Sequence, residues 1–190
     1  LPELRALSLK VGESDLNALQ TGLVLRSAEV NGKAADQPLS FAAQATLSGV
    51  PLKAEGGTGP LAALLPGAAS TTPWPIRLVA SAGDATLSVD GALSHPTEAA
   101  GLDAKIEARV PDLAALSPLA GQPLPAVRDA TFSARLVEHE RRNGYALKDI
   151  SARALGSDIE GEASLLLAAR SRIEARLASR KLDVDALLAA

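Results

Sequence analysis

The sequence predicts a mainly β chain: an extended, curved antiparallel sheet of repeated hairpins, forming an apolar groove, with a few short helices. Three observations lead there. Apolar and polar residues alternate with period two along most of the chain, the spacing of a strand with one oily and one wet face. A unit of alternating strands followed by a short Ala/Leu helix is written three times, and Ile-Glu-Ala-Arg recurs at residues 106–109 and 173–176. Of the 190 residues 47% are hydrophobic but only 2% aromatic. Ala, Leu, Val and Ile must therefore build the interior, which suits a long smooth lining better than a core keyed around large rings.

Repetition of a fixed unit argues for a stacked architecture. We read residues 1–70, 71–121 and 122–190 as three units of one continuous domain. The Gly/Pro/Ser/Thr stretch from Pro66 to Pro75 reads as the linker between the first two, and Gly121 to Pro125 punctuates the next boundary.

In the first unit Leu39, Phe41, Ala43, Ala45 and Leu47 oppose Ser40, Gln44, Thr46 and Ser48. A hairpin across Gly49-Val50-Pro51 returns through Leu52 and Ala54. Gly56-Gly57-Thr58-Gly59 lacks the Lys-Ser/Thr of a phosphate loop and reads as a flexible connection. The first helix follows over Pro60–Leu65. Phe41 and Leu47 are candidate groove-lining residues.

The second unit alternates Ile76, Leu78 and Ala80 with Arg77, Val79 and Ser81, turns at Gly83-Asp84, and returns through Leu87 and Val89. Beyond the His95-Pro96 loop, Leu102, Ala104, Ile106, Ala108 and Val110 oppose Asp103, Lys105, Glu107 and Arg109. This is the cleanest strand in the chain. Leu78, Leu87, Val89, Leu102, Ile106 and Val110 are the lining candidates, and a second helix covers Asp112–Ala120.

In the third unit Phe132, Ala134 and Leu136 oppose Thr131, Ser133 and Arg135, and Arg142-Asn143-Gly144 signals a hairpin. Tyr145 and Leu147 return along it, and Gly156-Ser157 makes the next turn. Ile159, Leu165, Ile173 and Leu177 join Phe132 and Leu136 as lining candidates. Leu165–Ala169 breaks the alternation, and a third helix is read over Asp183–Ala190.

No catalytic template is met. His95 and His139 are isolated, and Glu138-His139-Glu140 offers no third ligand on one strand face. Asp183 and Asp185 sit where carboxylates complement a helix dipole. We expect no active site, metal or cofactor. A formal net charge of −3 gives no argument for nucleic acid. There is no Cys for a disulfide, and no apolar run long enough to span a bilayer as a helix. The chain has no Met and starts at Leu1, so we read it as a piece of a longer polypeptide.

Pro73-Trp-Pro-Ile-Arg-Leu78, Ala82-Gly-Asp-Ala-Thr-Leu87 and Val89-Asp-Gly91 resemble a passage of bacterial AsmA family proteins. So do Pro111-Asp-Leu113 with Leu116, Leu119 and Leu124-Pro125, and the ending Ser179-Arg-Lys-Leu-Asp-Val-Asp-Ala-Leu-Leu188. The resemblance covers residues 70–190 well and the first 70 only in general pattern. It implies a periplasmic protein anchored in the inner membrane by a segment absent here. It also implies an apolar groove moving phospholipid between inner and outer membranes, in support of outer-membrane integrity. Phospholipid acyl chains, and bacterial membranes reached through other segments, are the partners it implies. The residues leave one alternative, a structural or scaffolding β-repeat without ligand, its strands paired face to face. Edge strands or the apolar face also offer routes to oligomers.

Overall fold

The computed structural model describes residues 6–18, 20–65, 72–139, 144–167 and 171–183. Alternation produces strands wherever it runs: β1 (Leu7–Val11), β2 (Ser14–Asp15), β3 (Leu23–Gly32), β4 (Pro38–Leu47), β5 (Val50–Pro60) and β6 (Trp74–Ala82). They continue as β7 (Ala85–His95), β8 (Ala100–Asp112), β9 (Arg128–Glu138), β10 (Gly144–Ala154), β11 (Ser157–Leu166) and β12 (Arg172–Ala178). Each strand pairs antiparallel with the one before it, in the order β1-β3-β4 through to β12, with β2 beside β3. The result is one open, curved sheet, not two sheets face to face. The boundary at residue 70 lies outside the described residues, and the one at residue 121 falls in the connection between the strands ending at Asp112 and starting at Arg128. β5 pairs with β6, and β8 with β9, so the sheet runs through both.

Among the described residues helices are few and short. The first is a 3-10 turn, Leu61–Leu64, and the second a 3-10 turn, Ala114–Leu116, followed by α1 (Ser117–Ala120). Asp112 closes β8 instead of opening the helix, and its carboxylate accepts from the Ala114 N–H at 2.9 Å. Another 3-10 turn, Pro96–Glu98, joins β7 to β8. The Arg142-Asn143 turn, Ala168-Ala169 and the third helix, Val184 onward, lie outside the described residues. β9 and β10 nonetheless pair as a hairpin, and Leu165 and Leu166 continue β11 as strand.

Three local readings are corrected. Ser48-Gly49, not Gly49-Val50-Pro51, turns β4 into β5, because two left-handed residues (φ 50° and 85°) match the twist of a two-residue hairpin. Leu155-Gly156, not Gly156-Ser157, turns β10 into β11 in the same way. Gly56–Gly59 is no loose connection but the body of β5. A Cβ at Gly56 would lie 2.7 Å from the tip of the Phe41 ring, and one at Gly59 would lie 2.6 Å from Trp74 Nε1. Glycine lets both rings lie over the strand, and Trp74 Nε1 donates to the Pro60 carbonyl at 2.9 Å.

Leu155 holds φ 51°, a conformation unfavourable by about 1–2 kcal/mol for a residue with a bulky Cβ substituent. Leu155→Asn should raise stability by about 1 kcal/mol, read as a higher urea midpoint at unchanged slope. An unchanged or lower midpoint contradicts that reading of the turn.

Candidate functional site

Residues directly opposite in an antiparallel sheet share a face, so the register shows which side each oily row occupies. One row runs Leu9, Val30, Phe41, Gly56, Leu78, Val89, Ile106, Ala134, then Ile150, Gly161 and Leu177. It crosses every strand from β1 to β12 except β2, without a polar side chain. A second runs Val11, Ala28, Ala43, Ala54, Ala80, Leu87, Ala108, Phe132, Ala152, Ile159. A third, from Leu7 through Leu39, Ile76, Leu136 and Leu147 to Ala175, is interrupted only by the hydroxyl of Thr58.

All fourteen candidate lining residues fall on this one face. Phe41, Leu78, Val89, Ile106 and Leu177 are in the first row, Leu87, Phe132 and Ile159 in the second, and Leu136 in the third. Leu47, Leu102, Val110, Leu165 and Ile173 occupy the same face nearer the strand ends. The alanines of the second row form a low floor. Beside them is a concavity of about 450 Å³, lined by Ala43, Ala45, Leu52, Ala54, Ala80, Leu87 and Val110. No other described layer seals the face: Leu87 is 37% exposed, and no large side chain is fully buried.

Two bulges keep the rows in phase. In β3 the extra residue is Arg26, so Leu23 and Leu25 before it share a face with Ala28 and Val30 after it. In β10 the irregularity lies between Lys148 and Ser151, with Asp149 at φ 52°. Tyr145 and Leu147 thereby join Ile150 and Ala152. Without the extra residue, half of each strand would turn its apolar side to the wet face.

The opposite face carries the charge. Lys10 pairs with Glu29 at 3.1 Å, Arg77 with Asp90 at 3.1 Å, and Arg176 with Glu162 at 3.4 Å, each directly across a strand pair. Arg135 grips both oxygens of Asp103, and this hydrogen bonding holds the Asp103 carboxyl below its ordinary value. These pairs are exposed and mark a solvated side more than they stabilise it. On the oily face polar groups gather toward the strand ends: Glu138, which accepts from the Gly101 N–H, with Tyr145 opposite, and Asp112 opposite Arg128.

The segment after β12 is held by the Asp158 N–H donating to the Lys181 carbonyl at 2.9 Å, by the Asp183 N–H donating to the Ser157 hydroxyl at 2.9 Å, and by one carboxylate. Asp158 Oδ1 accepts from the backbone N–H groups of Arg180 and Lys181, both at 2.9 Å, and from the Ser179 hydroxyl at 3.2 Å. The Lys181 N–H above all holds the Asp158 pKa below its ordinary value. A depressed carboxylate stabilises the fold above its unfolded pKa, and that contribution is lost as pH falls through the lower folded value. Exchange protection of the Arg180 and Lys181 amides should therefore hold at pH 6 and disappear below the ordinary aspartate value of about 3.9. Protection that is indifferent to acid contradicts the clamp.

β1 and β3 contribute Leu7, Leu9, Leu25 and Val30 to the face, a contribution the sequence reading missed. Among the described residues no group of three or more His, Asp and Glu side chains is placed to hold a metal ion. No described helix is long and apolar enough to cross a membrane. Comparisons with protein-family models, curated proteins and solved structures find no match for the chain.

Proposed function

We propose that the apolar face is a groove for the acyl chains of phospholipids, and that the chain is a periplasmic stretch of a longer, inner-membrane-anchored conduit serving the outer membrane. The observation that carries the reading is the uninterrupted first row, eleven strands wide without a polar side chain, in which only Ala134 and Ile150 are buried. Eleven strands about 4.8 Å apart give a path of roughly 48 Å across the sheet. Each acyl methylene withdrawn from water contributes about 0.8 kcal/mol, so a ligand needs no polar pocket to be held. Smooth floor residues such as Ala43, Ala54 and Ala80 oppose no step to a chain sliding across the strands. The resemblance to AsmA family proteins supplies the membranes, and the register supplies the physical means.

Native mass spectrometry of the chain purified from a bacterial host tests this. Co-purifying phospholipid, released when the protein is unfolded, is the expected result. A lipid-free protein that also fails to take up a fluorescent fatty acid contradicts the proposal.

A further inference from the structure

We propose that β12 is a pairing edge for a second copy of this chain, joined antiparallel about a two-fold axis through Ala175. Among the described residues β12 is the last strand of the sheet and pairs with β11 alone, and all seven of its residues are exposed. Ile173 is 76% exposed and Leu177 56% exposed. Such an edge is normally blunted by a bulge, a proline or an inward-pointing charge. β12 has none of these: its charges all lie on the wet face, and its oily face presents Ile173, Ala175 and Leu177.

Its sequence is that of an interior strand. Ile-Glu-Ala-Arg occurs in β12 and also in β8, where the same four residues are paired on both sides, by β7 and β9. Self-pairing about Ala175 also matches chemistry on both faces. It sets Ile173 against the partner's Leu177 and Ala175 against the partner's Ala175 on the oily side. On the wet side it sets Glu174 against the partner's Arg176, twice by symmetry. β1 has no such match, because pairing about Leu9 would oppose Lys10 to Ser8. Joining β12 to β1 with the oily faces in line would be parallel and open-ended, since both strands start from the same rim. Self-pairing at β12 is antiparallel and closes as a dimer. It carries the oily rows from one copy into the next, and stands whether or not lipid occupies them.

Sedimentation of the 190-residue chain over rising concentration, with hydrogen exchange of the β12 amides, tests the pairing. We expect a reversible species of twice the 19.4 kDa chain mass, with β12 protection growing with concentration. Glu174→Arg leaves the Arg176–Glu162 pair intact, because Glu174 faces Ser164 on β11, and within the chain it breaks the exposed pair of Glu174 with Arg172. It should weaken dimerisation about tenfold by placing like charges across the two-fold. Glu174→Arg with Arg176→Glu should restore it. A wild-type monomer at every concentration overturns the proposal, as does a dimer indifferent to Glu174→Arg or a ladder of larger species. Concentration-independent protection of β12 in a monomer also overturns it, in favour of cover by the chain's own following segment.

Discussion

Replacing Leu87 with aspartate is expected to weaken binding of a fluorescent fatty acid about 100-fold and to leave the sheet folded. Leu87 lines the concavity, and its partners across the neighbouring strands are Ala80 and Ala108. Small neighbours mean little packing is lost when the side chain changes. A ligand lying there would forfeit apolar surface worth roughly four methylenes, about 3 kcal/mol, or about a hundredfold in affinity. Ser88→Lys, one residue away on the wet face and opposite Glu107, should leave uptake within about twofold. Equal losses from both substitutions would remove the one-sided groove from the account.

Gly161→Ala should cost about 3 kcal/mol and release β12 from the sheet. Gly161 holds φ 151°, a region in which a side chain costs about 1–3 kcal/mol, and its Cβ would collide with the Arg176 carbonyl oxygen. That carbonyl belongs to the neighbouring strand, so the collision cannot be relieved by a rotamer. Gly161 also faces Ile150, just beyond the bulge that re-phases β10, so the local backbone is already committed. Faster exchange of the amides from Arg172 to Ala178 and a lower urea midpoint are the expected signs. An unchanged midpoint would show that the strand pair accommodates a Cβ there.

Much of this architecture was legible because alternation is a local signal. From Leu39 to Thr58 and from Ile76 to Val110 the strands keep their phase, so the oily row of each could be read directly, and their common face followed from the tight turns. Legibility fails where a strand changes phase. In β3 the apolar positions are odd through Leu25 and even from Ala28, so no single alternation spans the strand. In β10 the same shift left Ile150 without an assigned face. Bulges are set by pairing with a neighbour, here the partners around Gln44 and Ala134, and pairing is not written in local spacing. Gly56–Gly59 misled for a related reason. Glycines signal a loop locally, whereas here they clear space for Phe41 and Trp74, residues 15 positions distant in each case. The continuous face emerges only when all the registers are laid side by side.

The most direct test uses the absence of cysteine in the sequence. Single cysteines placed in turn along Leu102–Val110, and at Phe41, Ser40, Ile159 and Glu160, would carry a fluorophore read against a quencher attached to phospholipid acyl chains. Quenching is expected at Leu102, Ile106, Val110, Phe41 and Ile159, and not at Lys105, Glu107, Ser40 or Glu160. Equal quenching on the two sides of β8, or a quenched side that alternates from one strand to another, would contradict a single lipid-facing surface.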